Sequence, residues 1–242
     1  MSAETTSFLV PEAAGSPDPV RFPDDEAYHA SQVLRLSKGN VVRVVDGLGT
    51  AYRVRLDRVD GDEVWGSIVE RRSEEGEPSY RLILAMGILK NRGRMETAIE
   101  KLVELGVSEI IPLRTQRTEK VGFRVDRARN IVTAAVKQSK RCRVPTVHEA
   151  VDFSTFMQSA SGDVRLICHE AEPDSASIQN ALPRRSGTSI TIVIGPEGGF
   201  SSTEVHLARQ SEFLPVSLGP RRLRAETAAI VAAAACLLSD SQ

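Results

Sequence analysis

The chain has 242 residues and a mass of 26.4 kDa, enough for one large domain or two ordinary ones. Its composition, 41% hydrophobic and 26% charged, excludes disorder over the whole length, and no repeat or low-complexity period is present. The net charge of −1 hides an asymmetry: residues 1–80 hold nine basic and fifteen acidic side chains, net −6, and residues 81–242 carry +5.

The first elements predicted are a helix over about 24–34 and short alternating strands across 41–69, separated by Asp46-Gly47, Gly49 and Asp60-Gly61-Asp62. Asp-Gly turns at this spacing suggest a small antiparallel barrel. The polar run 73–79 reads as a linker, which divides the chain into an N-terminal domain, 1–76, and a C-terminal domain, 79–242. Apolar runs then appear at 82–89, 110–113, 164–168, 190–194 and 214–218. Helical patterns lie between or after them, at about 94–105, 124–141, 203–211 and 225–238. Strands alternating with helices imply an α/β domain with a parallel sheet covered on both faces. Ser201 with Glu204 three residues later is a capping box. The last helix is almost wholly apolar after Glu226 and must be buried, in the core or against a second subunit.

The N-terminus has no basic region followed by an apolar one, so no signal peptide is expected. The longest uncharged apolar stretch, 227–239, is shorter than the roughly 20 residues of a membrane span, so no membrane partner is expected. Cys142, Cys168 and Cys236 lack CxxC spacing, and His29, His148, His169 and His206 lack metal-ligand spacing. Free thiols, a cytoplasmic location and no metal are the expectation.

Three features carry chemistry. Residues 114–143 hold ten basic side chains against Glu119 and Asp126, a local +8 suited to a phosphate backbone or to a solvated helix face. Gly195-Pro196-Glu197-Gly198-Gly199-Phe200 follows a strand and precedes a helix, where small residues let backbone approach a ligand, or simply make a tight turn. Glu197 there disfavours phosphate and suits hydroxyls or positive charge. Leu218-Gly219-Pro220-Arg221-Arg222-Leu223-Arg224-Ala225-Glu226-Thr227-Ala228 also joins strand to helix. Glu226 has three readings: a first-turn carboxylate suiting the helix dipole, a partner of Arg224, or a group facing substrate. His169 follows the 164–168 strand at the same edge. The chain has no GxSxG, GxxxxGK[ST] or GxGxxG.

These residues resemble the SPOUT class of S-adenosylmethionine-dependent RNA methyltransferases, and more closely its RsmE type. The resemblance runs through HASQVLRLSKGNVVRVVDGLGTAY (29–52), LVELGVSEIIPLRTQRT (102–118), QSKRCRVP (138–145), IGPEGGFSSTE (194–204) and LGPRRLRAETAA (218–229). It implies a PUA-like RNA-binding barrel followed by a SPOUT domain with a C-terminal trefoil knot, working as a homodimer. The implied reaction is methylation of N3 of one uridine, conventionally numbered 1498, in 16S ribosomal RNA of the small subunit. The resemblance assigns the cofactor S-adenosyl-L-methionine to His169, Ile194, Gly195, Pro196, Glu197, Gly198, Gly199, Leu218, Gly219, Leu223, Arg224, Thr227 and Ala228. Arg224 and Glu226 are the candidate catalytic pair, with Arg224 facing the uracil oxygens and Glu226 either orienting it or accepting the proton. Arg35, Lys90, Arg114, Arg117, Lys120, Arg124, Lys137, Lys140, Arg141, Arg143, Arg221 and Arg222 are the candidate RNA contacts. Ser7-Phe8-Leu9 departs from the family's Arg-Phe-Phe-like start, and Arg222 and Lys137 add positive charge at positions often apolar or acidic. Three other readings compete: a SPOUT enzyme acting on ribose 2′-OH, a non-catalytic RNA-binding assembly factor, and a protein that binds a nucleotide for regulation.

Overall fold

The computed structural model describes residues 6–15, 18–119, 122–169, 176–182 and 187–240. The chain forms two compact units: residues up to 77 together with 133–144, and residues 78–132 together with those from 145 onward.

In the first unit, β1 (Ser7–Leu9), β2 (Val20–Arg21), α1 (Asp24–Tyr28), β3 (Val41–Val45), β4 (Thr50–Asp60) and β5 (Glu63–Ser73) follow in turn. A single π turn, His29–Val33, continues α1. The sheet order is β1-β3-β4-β5-β2. β4 and β5 form the hairpin expected from Asp60-Gly61-Asp62, and Gly61 supplies the left-handed φ of +57° that the turn requires. β3, β4 and β5 pair antiparallel, as the turns across 41–69 predict. β1, which the pattern did not predict, runs parallel to β3, so the sheet is mixed; the long connection through β2 and α1 gives the chain room to re-enter in the same direction. Alternate side chains, among them Val44, Val54, Leu56 and Val64, meet Phe8, Phe22, Ala27 and Ala30 in one buried core.

The segment 73–79 is also more than a polar linker. The Glu77 side chain is only 2% exposed and pairs with Arg141, 4% exposed, at 2.6 Å. It accepts the backbone N–H groups of Cys142 at 2.8 Å and Arg143 at 3.0 Å. Burial opposes its charge, but these donors outweigh burial and hold the carboxyl below its ordinary range. Polar composition signals solvent only where the side chains lack partners, and the partner here lies 64 residues along the chain.

The second unit contains β6 (Arg81–Gly87), α2 (Arg92–Glu104), β7 (Glu109–Arg114), α3 (Val125–Ser139, shared with the first unit), β8 (Thr146–Val147) and β9 (Val151–Asp152). Then come α4 (Phe153–Ser159), β10 (Val164–Cys168), β11 (Ala176–Ser177), α5 (Ile178–Ala181), β12 (Ser189–Ile194), α6 (Ser202–Gln210), β13 (Leu214–Ser217) and α7 (Ala225–Asp240). The sheet order is β11-β13-β10-β12-β6-β7-β8, with β9 on β7. Every pairing in it is parallel. Ala85, Ile167 and Val193 pack with Phe153, Phe156, Val205 and Ala208 of α4 and α6. The alternating residues Leu84, Met86, Ile192 and Ile194 are also buried, on the opposite face, where α7 lies on β6 and β12 and against α2. α7 buries Ala225, Ala229, Ala232, Ala233 and Cys236, while Ile230, Val231 and Ala234 stay half-buried and Leu237 is exposed. Within one chain, α7 is therefore covered on one face rather than all round.

Candidate active site

Parallel strands deliver their carboxyl ends to one edge, so the loops after β10, β12 and β13 converge there. With Arg94 of α2 and Arg117 beyond β7 they line a cavity of about 580 Å³, a size suited to a small-molecule ligand. Its walls include His169, Ile194, Gly195, Pro196, Glu197, Gly198, Gly199, Leu218, Gly219, Leu223, Arg224 and Ala228, twelve of the thirteen expected cofactor residues. Thr227, the third residue of α7, is exposed and lies outside the lining. Glu226 is likewise absent from the walls. Among the described residues, Arg94, Arg117, Arg221, Arg222 and Arg224 line the cavity, with Glu197 as the one acidic wall residue.

The 195–200 loop is held from several sides. Gly199 N–H donates to the Pro196 carbonyl at 2.8 Å, closing a turn for which Gly199 takes a left-handed φ of +67°. Arg117 donates to the Gly198 carbonyl at 2.8 Å, and a Cβ on Gly198 would lie 3.0 Å from Arg117 Cβ. Glu197 accepts the Lys90 backbone N–H at 3.1 Å, so its carboxylate ties the loop to the end of β6. The capping box is complete: Ser201 Oγ accepts Glu204 N–H at 3.2 Å and Ser201 N–H donates to Glu204 at 2.8 Å. The other Glu204 oxygen accepts the Gln116 N–H at 2.8 Å. Gly87, which the sequence reading passed over, is what lets the loop sit there. A Cβ on it would fall 2.5 Å from both N and Cδ of Pro196.

Around the second loop the expected pair separates. The Arg224 carbonyl accepts the Ala228 N–H at 2.8 Å, the first turn of α7, and its side chain is exposed. No hydrogen bond or ion pair joins Arg224 to Glu226 among the described residues. Glu226 instead meets Arg94 of α2, Nε to Oε1, at 3.6 Å. Arg94 was missed because it stands 132 positions from Glu226 in sequence; only the packing of α2 on α7 brings the two together. Cys168 also reaches the cavity wall. Burial pushes its thiol up to about 12, so it presents an un-ionised surface.

The expected RNA contacts fall into two groups. Arg141 is corrected: its side chain is buried against Glu77 and has no surface to offer a nucleic acid. Arg143 pairs with Glu74, Lys137 with the nearly buried Glu26 at 2.8 Å, Arg114 with Asp152 at 2.7 Å and Lys90 with Glu119 at 2.6 Å. Arg35, Lys140, Arg124, Arg221 and Arg222 are exposed. Lys120 lies outside the described residues, as does Glu170 beyond His169. Charge runs show composition alone, and the acidic partners come from distant parts of the chain.

Residues 76–237 match the family profile described as RNA methyltransferase domain. The chain belongs to that family. Residues 22–69 match the RNA methyltransferase PUA domain, so the first unit carries a PUA domain. Among relatives of this RNA methyltransferase, the Ribosomal RNA small subunit methyltransferase E of Synechocystis is 34% identical over 86% of this chain and 69% of its own. The Bacillus subtilis protein of the same name is 29% identical over 87% and 86%. The Neisseria gonorrhoeae Ribosomal RNA small subunit methyltransferase E, solved bound to S-adenosyl methionine, superposes with a TM-score of 0.85 at 29% identity, covering 95% of each chain. A Legionella pneumophila methyltransferase solved with bound SAM gives 0.82 at 29% identity over 98% of each.

The residues of this family member fit that cofactor. Gly199 and Gly219 on the cavity wall have open space where a Cβ would stand, Ile194, Leu218 and Leu223 offer apolar wall, and the arginines suit a carboxylate. No helix among the described residues is long and apolar enough to cross a membrane.

Proposed function

We propose that this protein transfers a methyl group from S-adenosylmethionine to N3 of one uridine in 16S ribosomal RNA. The cavity carries this reading: three strand-end loops make a backbone cradle, and five arginines line it. When bound, S-adenosylmethionine supplies an electrophilic methyl whose bond to sulfur breaks with the electron pair remaining on sulfur.

The chain's own residues align and stabilise. Positioning by the two loops can supply roughly 7–11 kcal/mol at best. The uracil N3–H is a weak acid; its proton passes to water, and the N3 lone pair then forms the new N–C bond. An arginine facing a uracil carbonyl oxygen would stabilise the developing anion, as an oxyanion hole does, and the arginines of the cavity wall, Arg94 and Arg224 among them, are the candidates. The exposed Arg124, Arg221 and Arg222 would contact the RNA backbone, and the PUA domain would orient it.

Three further features belong to the same reading. The half-exposed apolar face of α7, with Ile230, Val231, Ala234 and Leu237, supports a homodimer. The order β13-β10-β12-β6, in which sequence neighbours are not sheet neighbours, is compatible with a C-terminal trefoil knot. Thiols held protonated by burial at Cys142, Cys168 and Cys236 fit the cytoplasm. The deciding experiment treats small-subunit rRNA from a strain lacking this gene with purified protein and labelled S-adenosylmethionine, followed by nucleoside mass spectrometry. Label in 3-methyluridine is expected. Label in a 2′-O-methyl nucleoside would move the reaction to ribose, and cofactor binding without label on assembled or immature particles would favour an assembly factor.

A further inference from the structure

Resting on that reading, we propose that Arg94 is the cation that meets the uracil anion, and that Glu226 is a positioning residue that holds Arg94 rather than a proton acceptor. Arg94 lies in the first turn of α2, where the Asn91 side chain caps its N–H at 3.1 Å. It lines the cavity and is 37% exposed. Glu226, 13% exposed, stands behind it on the first turn of α7, 3.6 Å from Nε. The ion pair is made through Nε, and neither terminal nitrogen of Arg94 makes a hydrogen bond among the described residues, so both remain available as donors. The second Glu226 oxygen, Oε2, is buried and accepts no hydrogen bond from the described residues.

Two consequences follow from that arrangement. Glu226 is not among the cavity walls and one of its oxygens is buried, whereas Arg94 lines the cavity, so a base there meets the guanidinium before the carboxylate. A buried carboxylate oxygen without a donor also costs stability, and such a cost persists where the group has another task. Holding one guanidinium in a fixed orientation is that task here. Arg224 has no such anchor among the described residues, so binding through it alone would cost the entropy of ordering a free arginine. An anchored donor aimed at developing charge needs no reorganisation as the proton leaves.

The test compares wild type, Arg94→Gln, Arg94→Lys, Glu226→Gln and the Arg94→Gln/Glu226→Gln double variant, each confirmed folded by circular dichroism. Substrates are target RNA carrying uridine or 5-fluorouridine, whose N3–H is more acidic. Arg94→Gln is expected to lower kcat about 10²-fold on uridine RNA, in line with loss of one oxyanion donor, with KM and cofactor Kd within threefold of wild type. Arg94→Lys should recover part of the loss, and 5-fluorouridine should shrink it, which a purely structural defect would not do. Glu226→Gln should lose less than Arg94→Gln, and the double variant no more than Arg94→Gln alone, because the two act as one unit. A kcat for Arg94→Gln within twofold of wild type overturns the proposal while 3-methyluridine formation by wild type keeps the functional reading. A larger loss in Glu226→Gln than in Arg94→Gln, additive in the double variant, also overturns it and makes Glu226 the base. Ribose methylation by wild type removes the functional reading and this inference together.

Discussion

Gly87→Ala is a one-methyl change outside the cavity lining, at the last residue of β6. Its new Cβ would sit 2.5 Å from Pro196 N and Cδ and 3.0 Å from Pro196 Cα. Ordinary contact for such atoms begins near about 3.5 Å, so the two segments must part by about 1 Å. β6 is paired on both sides, to β12 and β7, and does not yield easily. The 195–200 loop is the softer side, and it moves. Overpacking of this kind costs about 1–3 kcal/mol of stability, a fall of roughly 2–4 °C in Tm per kcal/mol for a chain of this size. The larger effect falls on function, since a displacement of about 1 Å at a positioning loop can cost 10²-fold in rate. Calorimetric titration with S-adenosylmethionine should show affinity weakened by about tenfold or more, which is 1.4 kcal/mol, with the far-ultraviolet spectrum intact. A folded variant with cofactor affinity and turnover within twofold of wild type would refute the reasoning that Gly87 sets the loop's position.

Other consequences can be checked alongside. Glu77→Ala removes the carboxylate opposite a buried guanidinium and should cost about 3–5 kcal/mol by denaturant unfolding. Because the Glu77 carboxyl is held below its ordinary 4.5, its contribution is present above that pH and fades as pH falls below it. Thermal melts from about pH 6 to about pH 3 should therefore narrow the gap between wild type and Glu77→Ala. Gly198→Val, crowding Arg117 at 3.0 Å, should lose cofactor affinity by equilibrium dialysis while keeping the fold. Arg124→Gln should reduce the salt slope of RNA binding by about 1, whereas Arg141→Gln should leave that slope unchanged and lower Tm.

Local sequence determined a good deal. Strands such as 190–194 coincide with β12 because a parallel strand buried on both faces is a nearly continuous apolar run. The Ser201–Glu204 cap follows from a three-residue spacing, and the Gly195–Gly199 and Leu218–Ala228 loops marked the cavity because small residues between strand and helix allow close backbone approach. What escaped depends on partners far apart in the chain. The parallel placement of β1, the burial of Glu77 by Arg141, the meeting of Gly87 with Pro196 and the pairing of Arg94 with Glu226 each join segments separated by tens of residues or more. Hydrogen-bond rings and side-chain periodicity act over a few residues and are written in local sequence. Which charge is buried, which arginine faces the cavity and which glycine admits a loop are decided only when tertiary packing brings the distant segments within a few ångströms.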